Sequence, residues 1–188
     1  AEQRAAAWNF SGGQWQRAAG GLRQSDTQAQ GQARLALGNP HVLVEVDLRL
    51  DDTFAQAGID IGGAAGELLR CRLVPERGAL EIGLREGSAW RVQQLALPPG
   101  FAPAAFHLLR IELNGALARA SLGDVPGIWN GQLAGQPQTL ALHAQGRAAF
   151  AGFALTEGWD DQFDTAATLA ESGWAGDFSG WQIVDGVL

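Results

Sequence analysis

Glu45 and Asp47 stand two residues apart in HVLVEVDLRL, and Arg49 follows two further on. Residues two apart on an extended strand project from one face, so these three charges form a row. Two carboxylates that close are what a nucleophile and a proton donor require. The same row also suits a solvated strand face with cross-strand ion pairs. Arg110 and Glu112 supply partners of both signs for that second reading. Arg70 and Arg72 in LLRCRLV make another two-apart row. Their guanidinium forks suit bidentate hydrogen bonding to carboxylates or vicinal hydroxyls, and equally suit a salt-bridge ladder. If the two strands share a sheet, this pair lies on the face of Glu45 and Asp47. The chain has 7 Trp and no Tyr, so flat aromatic contact falls to Trp. Trp90, after the turn REGSA, and Trp129, in the long loop DVPGIWNGQLAGQP, are the candidates for touching a ligand.

Other chemistries find little support. His41, His107 and His143 lie on separate segments without Cys or carboxylate at metal-ligand spacing. No G-x-S-x-G is present, and GGAAG at 62–66 lacks the Lys-Ser/Thr ending of a phosphate loop. Asp160, Asp161 and Asp164 supply oxygens of the kind that hold Ca²⁺, although an acidic linker explains them as well. No cofactor is expected. The single Cys71 alternates with arginines, which reads as a small apolar residue buried on a strand.

The elements that must position these residues are strands. Val42, Val44, Val46, Leu48 and Leu50 alternate with Leu43, Glu45, Asp47 and Arg49, a sustained period of two. The alternation recurs in QAGIDIG, LLRCRLV, GALEIGLRE, HLLRIELNG and QTLALHAQG. Turn chemistry separates the runs: PERG, REGS, LPPGFAPAA, ELNG, DVPG and AQGR. Asn114-Gly115 before ALARASL predicts a two-residue hairpin turn centred on that pair. APAAFHLL and residues 166–175 have room for a helical turn or two and no more. Many short strands at hairpin spacing predict an all-β fold, an antiparallel sandwich.

Composition agrees. The 188 residues, 46% apolar and 18% charged, suit one well-cored globule, and 26 Gly demand many turns. All 13 cationic residues are Arg, and the net charge is −7 with no basic block, which argues against a nucleic-acid partner. No apolar run approaches the roughly 20 residues of a membrane-spanning helix.

The opening W-x-x-x-G-G-x-L, then VEVDLRL, AGIDIG, LLRIELNGALARASLGDVPG and AAFAGFALTEGW, resembles the concanavalin A-like lectin and glucanase jelly rolls. The likeness runs over residues 8–159 and is greatest to the modules appended to bacterial glycoside hydrolases. It implies two curved antiparallel sheets that bind a polysaccharide or oligosaccharide on one sheet or at its rim. It also implies a non-catalytic, carbohydrate-binding role in a larger extracellular or periplasmic protein. Glucanases of that superfamily carry E-x-D-x-x-E on one strand. Here Leu50 stands at the third position, and period two turns it to the other face. A glucanase-like hydrolase with an atypical site and a structural spacer are the alternatives.

The chain closes on DFSGWQIVDGVL, which repeats its opening NFSGGQWQRAAGGL in order. The expected organisation is a sandwich over 1–159, a linker over 160–176, and over 177–188 the first strand of a second unit. In that reading the chain is a processed or excised piece of a tandem array. The alternative makes 177–188 an edge strand of the same sandwich. A terminal strand without partners is expected to dock on an exposed edge, which makes a homodimer through that strand possible.

Overall fold

The computed structural model describes residues 8–158, apart from 19, 28, 53 and 124. The described chain is built of strands joined by turns, with a single 3-10 turn at Pro75–Arg77. The first four strands are β1 (Asn9–Ser11), β2 (Trp15–Ala18), β3 (Gly21–Gln24) and β4 (Gln30–Ala36). Then come β5 (Val42–Leu50), β6 (Gln56–Gly63), β7 (Gly66–Val74), β8 (Ala79–Glu86) and β9 (Ala89–Ala96). The last are β10 (His107–Asn114), β11 (Leu117–Leu122), β12 (Trp129–Gln132), β13 (Thr139–Gln145) and β14 (Ala148–Glu157).

Two seven-stranded sheets result among the described residues. Sheet A runs β1-β4-β13-β6-β7-β8-β9, and sheet B runs β12-β11-β10-β5-β14-β3-β2. Every pairing is antiparallel. The expected all-β sandwich is the observed one.

The alternation of β5 explains why. Val42, Val44, Val46, Leu48 and Leu50 are buried, while the residues between them are half-exposed. Their inward faces meet Ile59, Ile61, Leu69, Leu73 and Ile82 of sheet A in one core. Each such side chain withdrawn from water contributes about 1.5–3 kcal/mol, and that burial holds the sheets face to face. Cys71 is part of this core, fully buried, and its thiol pKa is pushed far above the usual range by burial and the nearby Asp60 charge. It behaves as the apolar residue that its alternation suggested.

Local details differ from the sequence reading. The β10–β11 hairpin pairs Asn114 with Leu117, so Gly115 and Ala116 form its centre, one residue later than expected. Gly115 takes a positive φ of 58° at the first central position, as the two-residue hairpin turns of the primed types demand. APAAFHLL makes no helix. The Ala105 amide closes a turn on the Ala102 carbonyl, the Pro103 carbonyl accepts from the Leu50 amide, and β10 begins at His107. The opening phrase divides between the sheets: β1 borders sheet A, while β2 borders sheet B and β3 lies between it and β14. Trp8 packs edge-on against Phe153, and Trp15 stacks on Phe150. The expected linker, the acidic residues Asp160, Asp161 and Asp164, and the phrase 177–188 lie outside the described residues.

Candidate functional site

The candidate residues fall on opposite sides of the molecule. Glu45, Asp47 and Arg49 face outward from β5 in sheet B, whereas Arg70, Arg72 and Trp90 face outward from β7 and β9 in sheet A. The strands do not share a sheet, so the condition for a common face is not met. Leu50 is buried and inward, as period two required. Trp129 is not in a loop. It lies on β12 with its ring in the core, above the gap left by Gly131, and its indole N–H donates to Gln93 of β9. That bond ties an edge strand of one sheet to an edge strand of the other.

The outward face of sheet A is ordered in cross-strand rows. One row runs Arg34, Ala141, Asp60, Arg70, Gly83 and Val92. Beside it runs Gln32, His143, Gly58, Arg72, Glu81 and Gln94. On the other side run Ala36, Thr139, Gly62 and Glu67. Side chains at such positions stand within about 5 Å of their neighbours, so the rows form one polar surface.

Glu67 reaches this surface through a bulge. Strict alternation back from Leu69 would turn it into the core. The β6–β7 register instead slips between Ile61 and Gly62: Ile61 opposes Leu69, and Gly62 opposes Glu67. The extra residue, Leu68, folds toward Gly63 and Gly135 and stays buried. A bulge of this kind re-aims the residue beyond it. Glu67 then forms an ion pair with Arg70, whose Nε donates to Oε2 at 2.9 Å.

Asp60 anchors the centre. It is only 3% exposed, and a charge so enclosed needs partners. Arg72 supplies two of them, Nε to Oδ1 at 3.1 Å and Nη2 to Oδ2 at 2.7 Å, and Gln32 Nε2 donates to Oδ2 at 3.3 Å. His143 is fully buried beside them, with Nδ1 3.5 Å from Asp60 Oδ2. Neither of its ring nitrogens has a hydrogen-bond partner among the described residues. Burial first, and then the Arg72 charge, bring the His143 pKa down to about 3, so the ring is neutral in the folded protein.

Trp90 leans over Gly83, where a Cβ would stand 3.1 Å from the ring. The Arg70 guanidinium lies 4.0 Å from the ring centroid and Arg85 lies 5.4 Å from it. The indole is therefore a shelf that holds two cations in place. Two clefts open around this assembly. One, of about 580 Å³, is lined by Glu67, Arg70, Arg85 and Trp90, with Gly66 and Gly87 at its rim. Its volume lies within the roughly 300–1,000 Å³ usual for small-ligand sites. The other, of about 190 Å³, is lined by Gln32, Arg34, Asp60, Glu67 and Thr139 over Gly62. Glu67 and Gly66 border both.

The outward face of sheet B is paired internally. Arg110 lies 2.9 Å from Glu112 and 3.9 Å from Glu45, and Arg119 lies 3.4 Å from Glu112. Arg49 binds Asp51 at 2.8 Å and covers the Phe106 ring at 4.8 Å. Asp47 stands beside the β14 irregularity at Gly152. The ion-pair reading of this row thus holds for Glu45 through Arg110. Arg49 turns along its own strand to Asp51 instead.

Sequence reasoning singled out Arg70, Arg72 and Trp90 from the sheet A face but not Gln32, Arg34, Asp60, Glu67 or Arg85. Two signals were available. QARLALG alternates as β4 does, and the doublet Leu68-Leu69 breaks the alternation where the bulge lies.

No protein-family model matches the sequence, and no curated protein matches it. Solved structures do. The chain is similar to the carbohydrate-binding module CBM66 from Bacillus subtilis, with a TM-score of 0.60 and 13% identity, over 80% of this chain and 96% of that one. It is similar to a Bacillus subtilis protein of unknown function with a galectin-like fold, with a TM-score of 0.55 and 13% identity, over 84% and 92%. It is also similar to the galectin LEC-6 of Caenorhabditis elegans, with a TM-score of 0.53 and 11% identity, over 66% and 89%. These likenesses carry the fold: the expected antiparallel jelly-roll sandwich is the observed architecture.

Proposed function

We propose that the protein is a non-catalytic carbohydrate-binding module whose ligand lies on the outward face of sheet A. The observation that carries this reading is the Trp90 shelf with Arg70 and Glu67 between two clefts on one continuous polar face. Saccharides are recognised by planar donors and acceptors that meet hydroxyl pairs, backed by an aromatic surface that excludes water. Arg70 and Glu67 offer both polarities side by side, and Trp90 keeps Arg70 from relaxing into solvent. The fold neighbours add support, since one of them is a carbohydrate-binding module and another a galectin.

The binding reading is preferred to hydrolysis because Glu45 and Asp47 lack the third carboxylate, with Leu50 buried in its place. Attachment to a larger extracellular or periplasmic glycan-active protein belongs to the same proposal and rests on the resemblance of the sequence. So does the reading of 177–188 as the start of a second unit. The test is a screen of immobilised glycans against the wild-type chain, Trp90→Ala and Glu67→Gln. Retention on at least one glycan, weakened in both variants, is expected. Retention unchanged in both variants would place the site elsewhere.

A further inference from the structure

Donors outnumber acceptors on the sheet A face. Asp60 already accepts from Arg72 and Gln32, and Glu67 already binds Arg70 through Oε2. Arg34 gives one N–H to Gln32 Oε1, at 3.0 Å, and has no carboxylate partner among the described residues. Arg85 contacts the Trp90 ring and likewise has no carboxylate partner there. A guanidinium carries five N–H donors, so most of those on these two side chains are uncommitted. The two clefts are lined by three guanidiniums (Arg34, Arg70 and Arg85) and two carboxylates (Asp60 and Glu67), and Asp60 is already neutralised by Arg72 from the neighbouring row. This local cationic surplus occurs in a chain whose net charge is −7.

The two uncommitted arginines stand at opposite ends of the site. Arg34 lines the smaller cleft and Arg85 the larger. β4 and β8 are four strand spacings apart, with β13, β6 and β7 between them. At about 4.8 Å per spacing this is roughly 19 Å across the sheet, a span of several sugar rings. A neutral sugar offers hydroxyls that donate as readily as they accept. A carboxylate accepts only, and its two oxygens match the guanidinium fork.

We propose that the ligand is an acidic oligosaccharide that crosses the strands of sheet A, with uronate carboxylates meeting Arg34 and Arg85. This inference rests on the carbohydrate-binding reading above and narrows it. The chain is titrated calorimetrically with short oligogalacturonates and oligomannuronates and with their carboxyl-reduced, neutral counterparts. A panel of neutral oligosaccharides is run in parallel. Arg34→Gln, Arg85→Gln and the sheet B control Arg49→Gln are measured alongside.

Binding of one of the acidic series is expected, weakened about 10-fold or more by carboxyl reduction. A similar loss is expected in Arg34→Gln and Arg85→Gln and not in Arg49→Gln, with affinity falling as salt rises. Equal affinity for an acidic oligomer and its reduced form, unchanged in both variants, would overturn the inference. Binding confined to neutral oligosaccharides would overturn it too, and either result would leave the carbohydrate-binding reading intact. Failure of every acidic and neutral probe to bind would overturn both.

Discussion

On sheet B, Arg110 stands between Glu45 and Glu112, and Arg119 returns to Glu112 from the next strand. On sheet A, Arg34 and Arg85 face the clefts without a carboxylate partner among the described residues, and Asp60 is enclosed by its neighbours. Both faces arise from the same alternation of charged and apolar residues. The difference comes from glycine and from the bulge. Gly62 and Gly83 leave room on the sheet A surface for the smaller cleft and for the Trp90 ring. Sheet B fills the corresponding positions of β5 and β10 with Leu43, Leu108 and long charged side chains that fold onto one another. A charged strand face thus becomes a site when its floor is open and some of its charges lack internal partners.

The largest expected contrast is in stability. Asp60→Ala strips Arg72 of its carboxylate in a nearly closed setting, and removing one partner of a buried pair costs about 3–5 kcal/mol. Urea denaturation of that variant, against Glu45→Gln as the sheet B counterpart, measures the contrast. Comparable small losses in both would make the two faces equivalent.

The next contrast is pH dependence. The unfolded chain takes up the His143 proton near 6.5, and the folded chain does so only near 3. Between these values the unfolded state holds more protons, so this group makes stability rise with pH from about 3 to 6.5 and lowers it as the solution is acidified. The slope is about 1.4 kcal/mol per pH unit within the window. Arg72, Asp60, Glu67 and Arg70 are the charged groups that face the ring, and all four are retained in His143→Gln. Denaturation midpoints between pH 4 and 6.5 are expected to vary less in that variant. An unaltered slope would refute the assignment.

Legibility in the sequence followed the regularity of the strands. Period two placed β5, β6, β7, β8, β10 and β13 close to where they lie, because one buried face imposes it. It placed Arg70 and Arg72 outward for the same reason. Glu67 escaped because a bulge reverses the parity of everything before Leu69, and a period carries no information across such a slip. Trp129 was misplaced because Gly, Pro and Ile around it look like a loop, whereas Gly131 makes the room that lets the ring turn inward. The pairing of strands into sheets was not legible at all. Alternation says which residues share a strand face and is silent on which strands are neighbours, so Glu45 and Arg70 were open to a common surface they do not have.

Smaller effects sharpen the comparison further. Trp90→Ala frees Arg70 and Arg85 at the cost of cation–π contacts worth about 1–2 kcal/mol, and glycan affinity is expected to fall about 10-fold while the fold persists. Glu45→Gln and Asp47→Asn are expected to change affinity hardly at all and stability by ~0–1 kcal/mol, as exposed pairs do. Loss of a hydrolytic activity in either variant would instead make sheet B the functional face. Deleting residues 177–188 is expected to alter sandwich stability by less than ~0.5 kcal/mol, because the opening phrase already supplies β1, β2 and β3. Unfolding on deletion would make the closing phrase an integral strand of this sandwich.

The choice between the two faces is tested most directly by NMR mapping of amide shifts as a bound oligosaccharide is added to the labelled chain. Shifts concentrated at Arg34, Asp60, Glu67, Arg70, Arg85 and Trp90, with Glu45, Asp47 and Arg110 unmoved, are the expected result. Shifts concentrated on β5 and β10, with the sheet A face silent, would contradict it.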